Sequence, residues 1–383
     1  MVCNDAPFFV SHRLALAASL LNAGYAVHVA VPDDGKAVCR IAEKGLIVHA
    51  VPFNRKSMNP LNEARTLRVL WRLYRHLRPH IVHHVTSKPI LLGGIVARAL
   101  GLPAVVNAVT GLGYLFSRRD FAGIGAQVIL RRVYRAILGN GAAVTIFQNP
   151  DDLLEIWGAR GGHRSVIIRG SGVDTTEFMF SRESDETPVV VLAARMLWSK
   201  GVGDFVAAAR RLHEQNVPCR CVIVGDPDPQ NPESIPKDIL ESWHAEGSVQ
   251  WWGFRPNMAD VFRHAHVIVL PTVYREGVPK VLIEAASCGR ALVASNMPGC
   301  REIVVDGETG ILVPPRDPVA LADAIKMLVE QPDRRRAMGV AGRRLVEASF
   351  SLDRVIIETL KLYERILNGT KKGQVSDPTI VSE

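Results

Sequence analysis

The feature that most constrains this chain is an alternation that runs through it twice: short apolar runs of strand length, each followed by a stretch with helical periodicity. In the second half, residues 189–194 form such a run, and residues 203–215 then place Phe205, Ala208, Ala209 and Leu212 along one helical face. Further strand-like runs follow at 219–225, 249–252, 265–270, 291–295 and 310–313, with helical stretches at 239–245, 258–264 and 318–330. In the first half, 26–31, 46–51, 81–85, 104–107 and 143–148 are strand-like. Helices are expected there over 11–24, with Ser11 as N-cap, over 35–45, and over 62–77, the last ended by Pro79. Strands joined through helices pair in parallel, and a parallel sheet is covered on both faces. The chain is therefore expected to be α/β, built on two doubly wound parallel sheets with a cleft between them.

With 383 residues the chain exceeds what one hydrophobic core usually serves, so two domains are expected. The polar, turn-rich stretch 169–187 is the expected linker between an N-terminal domain over 1–168 and a C-terminal domain over 188–350. The polar tail 369–383 is expected to be frayed. Only Met1-Val2-Cys3 precedes Asn4-Asp5-Ala6-Pro7, where a doubly wound domain should open on a central apolar strand. Two readings stay open: a stubby first strand, or a chain that begins a few residues late.

No stretch reaches the length of a membrane span without a charge; the best, 89–106, is interrupted by Arg98 and reads as a buried helix followed by a strand. No cleavable signal pattern opens the chain, so a cytoplasmic protein is expected, with peripheral contact at the inner membrane as an option. Cys219 and Cys221 stand two apart, which makes neither a zinc knuckle nor a redox pair. The net charge of +8 is uneven: residues 1–165 carry 20 Lys/Arg against 9 Asp/Glu, and the remainder 26 against 29. The first half is thus expected to meet an anionic partner. Arg65, Arg68, Arg72 and Arg75 form a basic stripe on the 62–77 helix, and Arg118, Arg119, Arg131, Arg132 and Arg135 add to it. Such a stripe suits either a solvated helix packed on a sheet or a surface for phospholipid headgroups or a lipid-linked phosphate. Nucleic acid is not expected, because the basic residues fit no recognised module and 6% aromatics offer no stacking platform.

Glu276 and Glu284, with seven residues between them, follow the buried run 265–270 across a turn of Gly277, Val278 and Pro279. Backbone donors of Gly277, Val278 and Lys280 at the helix start favour a phosphate, while the carboxylates can accept from sugar hydroxyls. Glu284 is assigned ribose hydroxyls and Glu276 those of a transferred sugar. A glycosidase pair is disfavoured, since these positions fix no gap for a water or a nucleophile; the plain alternative is an exposed pair capping a helix. Arg195 and Lys200 flank four residues at the end of the 189–194 strand. Arg offers a two-pronged grip on phosphate and Lys a mobile point charge, so the pair suits a diphosphate, unless both are surface charges on a loop. In the first half, Ser11-His12-Arg13 and Thr110-Gly111-Leu112-Gly113 are expected on loops after strands, with the glycines permitting close backbone approach. His83 and His84 lie on opposite faces of one strand, poor joint metal ligands; His84 either touches a substrate or is packed, and Thr86-Ser87-Lys88 ends that strand. No triplet of His, Cys and carboxylate has metal-site spacing.

Phe8-Phe9-Val10-Ser11-His12-Arg13, Thr86-Ser87-Lys88-Pro89, Val109-Thr110-Gly111-Leu112-Gly113-Tyr114, Arg195 with Lys200, Glu276 to Glu284, and Pro298-Gly299-Cys300-Arg301-Glu302 together resemble the retaining glycosyltransferases of family 4, from about residue 3 to about residue 367. The resemblance implies the GT-B fold, two Rossmann-like domains facing across a cleft, with the last helix over 351–368 crossing back to the N-terminal domain. It implies a C-terminal nucleotide-sugar site of Arg195, Lys200, Phe254, Glu276, Gly277, Val278, Pro279, Lys280 and Glu284, in which Arg195, Lys200 and Glu276 are catalytic. The acceptor side would be Ser11, His12, His84, Lys88, Thr110, Gly111 and Gly113. The subgroup it most resembles extends polyprenyl-diphosphate-linked glycans for surface polysaccharide, O-antigen or protein glycosylation. That implies a UDP-linked hexose or N-acetylhexosamine donor, a lipid-linked saccharide acceptor, and neither a cofactor nor a metal. The leaving diphosphate would be supported electrostatically, and domain closure would exclude water. The short opening strand departs from the family pattern, as do Asn107 and Thr110 where many members carry a histidine, which leaves a catalytic histidine open. Two rivals remain: a UDP-sugar epimerase of the same plan, and a non-catalytic sugar-binding or membrane-associated component of a glycan assembly complex.

Overall fold

The computed structural model describes residues 1–54, 59–113, 116, 121–139, 141, 143–158, 164–229 and 231–371. Tyr114, Arg118, Arg119 and the tail beyond Lys371 lie outside the described residues. The chain divides into two compact units, Met1–Ser171 joined by the segment from Leu352 onward, and Gly172–Ser351.

The first unit carries β1 (Val2–Cys3), β2 (His28–Val31), β3 (Ile47–Ala50), β4 (Val82–Val85), β5 (Val105–Val109), β6 (Ala143–Phe147) and β7 (Ser165–Ile167), in the order β3-β2-β1-β4-β5-β6-β7. All pairs are parallel. The first strand is two residues long yet central, with Val2 opposite Ala30 on one side and His84 on the other. Strands β4, β5 and β6 are buried at every position because helices cover both faces of the sheet. The helix Leu352–Lys371 belongs to this unit and buries Val355, Leu362, Tyr363 and Ile366 in its core.

Ser11 is not an N-cap. Asp5 caps a helix Ala6–His12 by accepting from the Phe8 N–H at 2.7 Å, and Pro7 stands in its first turn. An Asp followed by Pro is a stronger start signal than Ser11, whose hydroxyl instead donates to the carbonyls of Pro7 and Phe8. The helix breaks at Arg13 and resumes as Leu14–Asn22.

The second unit carries β8 (Val189–Ala193), β9 (Arg220–Val224), β10 (Gln250–Trp251), β11 (Val267–Leu270), β12 (Ala291–Ser295) and β13 (Gly310–Val313), all parallel, in the order β10-β9-β8-β11-β12-β13. Alternation splits its strands between two cores: Val190 and Leu192 of β8 face one, and Val189, Val191 and Ala193 the other. Each fully buried aliphatic side chain of this kind contributes about 1.5–3 kcal/mol of transfer free energy.

One helix has no broad apolar stripe to announce it. The helix Pro332–Ser349 buries Arg335, Met338, Gly339, Gly342 and Val346, a helical spacing made largely of Arg and Gly. Gly339 is there because a Cβ would lie 2.0 Å from the Gly289 carbonyl oxygen, so the helix packs backbone to backbone. Among the described residues no helix is long and apolar enough to cross a membrane.

Candidate active site

In the second sheet the strand order reverses at β8, whose neighbours are β9 and β11. Ligands of open parallel sheets sit at the carboxyl ends of the strands beside such a switch point. There β8 runs into Arg195 and a turn Trp198–Lys200, while β11 runs into residues 271–279 ahead of the helix Lys280–Ser287. Gly201, at φ 74°, lets the two exits touch: a Cβ would lie 2.0 Å from the Pro271 carbonyl oxygen. The Val273 N–H donates to the Ser199 carbonyl at 2.9 Å. The buried Thr272 hydroxyl donates to the same carbonyl at 3.1 Å and lies 3.4 Å from Glu276 Oε1.

That framework brings Lys200 Nζ onto the Glu276 carboxylate, with the two side chains only 16% and 15% exposed. The Lys200 ammonium also stands 5.5 Å from the centroid of the Tyr274 ring. Behind the turn, Gly299 at φ 81° allows its own backbone to approach Gly277, where a Cβ would meet the carbonyl oxygen at 2.0 Å. Glu284, within the helix Lys280–Ser287, pairs with Lys280 at 3.1 Å. Burial pushes its pKa up, and the Lys280 charge opposes that only in part.

Next to this turn a pocket of about 590 Å³ is lined by Arg195, Asp226, Asp228, Phe254, Val281 and Glu284 among others. Arg195 Nη1 lies 2.9 Å from Asp228 Oδ2. Phe254 stands 67% exposed, its N–H donating to Asp226 Oδ1 at 3.0 Å. The structure thus brings Arg195, Phe254 and Glu284 into one pocket and Lys200 with Glu276 into one ion pair, while Gly277, Val278, Pro279 and Lys280 form the turn between. Sequence reasoning missed Asp226, Asp228 and Thr272. The signal was an Asp-x-Asp directly after a predicted strand, hidden in what reads as a proline-rich loop.

Of the expected acceptor residues, Ser11 and His12 follow β1, Lys88 follows β4, and Thr110, Gly111 and Gly113 follow β5, while His84 lies within β4. Thr110, Gly111 and Gly113 form a loop after β5, with φ of 107° at Gly111 and 75° at Gly113. Lys88 is ion-paired with Glu63 and donates to the Asn54 carbonyl at 2.6 Å. Ser11 and His12 were expected on a loop and instead lie in the helix Ala6–His12, where the His12 ring stacks on Phe8 at 4.0 Å. Of the two readings of His84 the structure has the packed one, and a place beside the acceptor is corrected: it is fully buried, held between Tyr74 Oη and Asn107 Oδ1 at 2.9 Å each, and packs against Gly93, where a Cβ would lie 2.4 Å from Nε2. Burial lowers its pKa to about 4, so the ring is neutral and serves packing. Among the described residues no three His, Cys, Asp or Glu side chains cluster as metal ligands would.

Two doubly wound parallel sheets in one chain are the GT-B architecture. Residues 2–149 match the family described as Glycosyl transferase 4-like, and residues 187–331 match Glycosyl transferases group 1. The chain is 30% identical over 309 residues to the alpha-maltose-1-phosphate synthase of Mycolicibacterium smegmatis, covering 75% of this chain and 79% of that protein. It therefore belongs to the family 4-like, group 1 glycosyltransferases, and it is a sugar-transferring enzyme of GT-B fold. It is also 25% identical over 357 residues to the N,N'-diacetylbacillosaminyl-diphospho-undecaprenol alpha-1,3-N-acetylgalactosaminyltransferase of Campylobacter jejuni, over 89% of this chain and 91% of that one. Among solved structures it is similar to Anabaena HepE in complex with UDP and glucose, with a TM-score of 0.74 at 16% identity over 95% of this chain and 98% of that one.

Proposed function

We propose that the protein is a retaining glycosyltransferase that moves a hexose or N-acetylhexosamine from a UDP-sugar to a polyprenyl-diphosphate-linked saccharide, in the assembly of a surface polysaccharide, O-antigen or glycoprotein glycan. The observation that carries the donor half is the convergence of Arg195, Lys200, Glu276 and Glu284 at the switch point between β8 and β11. The names of the Campylobacter jejuni relative and of the HepE complex support the acceptor class and the nucleotide.

In this reading the second unit binds the donor. Arg195 and Lys200 take the diphosphate, Glu284 accepts from the ribose hydroxyls, Phe254 covers the base, and Glu276 accepts from the transferred sugar. The backbone N–H groups of Gly277, Val278 and Lys280 meet the distal phosphate beside Pro279. The bond from the anomeric carbon to the leaving phosphate breaks as the acceptor oxygen bonds the same face of that carbon. The acceptor proton passes to the leaving phosphate oxygen, so the step calls for no protein nucleophile. The two cations neutralise the charge that develops on the diphosphate, so metal independence is part of the proposal; one such preorganised donor is worth about 10²–10³ in rate.

The first unit is assigned the acceptor, through Ser11, His12, Lys88, Thr110, Gly111 and Gly113. It is also assigned peripheral contact with the anionic cytoplasmic face of the inner membrane. The helix Phe121–Leu138 supports that contact, because Ile129 is 65% exposed beside the exposed Arg132. The test is a donor screen by mass spectrometry on purified protein with polyprenyl-diphosphate-linked mono- and disaccharides. Gain of one sugar from a UDP donor, with its anomeric configuration kept by NMR, is the expected result. Release of a free or epimerised sugar without an acceptor points to an epimerase, and no turnover of any donor points to a binding component.

A further inference from the structure

The loop 226–236 takes no part in the assignments above, yet it supplies a competitor for one of the two cations. Arg195 pairs with Asp228 at 2.9 Å, and both line the donor pocket together with Asp226 and Glu284. The two members of the pair differ in freedom. The backbone at Asp228 is fixed: its N–H donates to Ser234 Oγ at 2.9 Å, and its loop is strapped to the segment after β8 from both sides. On one side the Met196 N–H donates to the Asp226 carbonyl at 3.1 Å; on the other, Trp198 donates to Glu233 at 2.9 Å and Ile235 to Met196 at 2.8 Å. Moving the backbone that carries Asp228 would break these bonds. The Arg195 side chain is 48% exposed against 23% for Asp228, so the guanidinium is the part that turns.

On the proposed reading, a donor diphosphate must take Arg195 from Asp228, and departure of the product hands it back. A UDP-sugar brings one charge on each phosphate, whereas UDP carries a further charge on its terminal phosphate near neutral pH. A carboxylate beside the cation disfavours the more charged of the two. We propose that Asp228 is a specificity-determining residue of the donor pocket, which competes with the diphosphate for Arg195 and weights the site against its nucleoside diphosphate product. An ion pair this exposed shifts an equilibrium by about two- to fivefold, enough to aid release without blocking entry.

Titration calorimetry on the full chain, with UDP as the probe, tests this in wild type, Asp228→Asn, Arg195→Ala and the double variant. Asp228→Asn is expected to bind UDP about two- to fivefold more tightly, Arg195→Ala more weakly, and the gain is expected to shrink when Arg195 is absent. Asp228→Ala, which removes the carboxylate without installing an amide, must show the same gain. UDP binding no tighter than wild type in both Asp228 variants, or a gain of equal size without Arg195, overturns the competition. A wild type that does not bind UDP, or an Arg195→Ala variant that binds it unchanged, removes the donor-site assignment and the competition with it.

Discussion

Gly299→Ala asks whether the acidic turn is set from behind by backbone packing. At φ 81°, an ideal Cβ on Gly299 would lie 2.0 Å from the Gly277 carbonyl oxygen and 2.8 Å from that of Glu276. A left-handed backbone costs an L residue about 1–2 kcal/mol. The obstructing atoms are themselves backbone, so no side chain can swing away; Gly277 or the short helix Cys300–Ile303 has to move. Overpacking of that sort adds about 1–3 kcal/mol, for a total of about 2–5 kcal/mol. In a unit of this size each kcal/mol lowers the melting temperature by about 2–4 °C, so the transition of the second unit should fall by about 4–20 °C. Where the turn shifts instead of melting, Glu276 and the donors of Gly277 and Val278 shift with it, and UDP affinity drops. Differential scanning calorimetry and UDP titration read both outcomes. Gly307→Ala is the control, because Gly307 has φ 78° with nothing within 4 Å of its Cβ. It isolates the conformational part, about 1–2 kcal/mol. A Gly299→Ala protein that melts no lower than this control and binds UDP as wild type would refute the packing argument.

Lys200→Ala should lower turnover by about 10²–10³-fold with far-UV circular dichroism unchanged, and near-full activity in an Arg195→Ala/Lys200→Ala protein would show the phosphate site to be wrong. The raised pKa of Glu284 means the folded protein holds this proton more readily than the unfolded chain, so its penalty on stability is present at high pH and lifts as pH falls through the folded pKa. Donor affinity moves oppositely, because a protonated carboxyl is a poorer acceptor. The UDP terminal phosphate titrates in both proteins, so a pH dependence of UDP affinity that is the same in Glu284→Gln as in wild type, down to the ordinary glutamate range of about pH 4.3, counts against that role. Tyr363→Phe takes the partner from His83 Nδ1, 2.6 Å away, on a buried ring whose Nε2 has none among the described residues. It should cost the first unit about 1–3 kcal/mol by chemical denaturation and leave UDP affinity untouched; an unchanged midpoint argues that the pair is not stabilising.

The strands of the second unit were legible because β8, β11 and β12 are apolar at nearly every position, as buried parallel strands must be. The helix Pro332–Ser349 was not, since its contact face is cut from Arg335, Gly339 and Gly342, to which hydrophobic periodicity is blind. Asp5 outcompetes Ser11 as a cap through Pro7, a signal local to the first turn. His84 was ambiguous as a residue type and became plain only when Tyr74, Gly93 and Asn107 closed around it from separate elements.

The α/β class, the two series of strands, and the residue types able to hold a sugar joined to a diphosphate can all be read along the chain. These are local properties, written in side-chain period and in the few residues at the exit of each strand. Which residues meet follows from the packed fold. Lys200 reaches Glu276 across 76 positions because β8 and β11 are neighbours in the sheet, and Arg195 meets Asp228 because the loop after β9 is strapped along the exit of β8. Strand order is settled by the packing of whole helices on both faces of the sheet, a non-local balance that no window of residues contains.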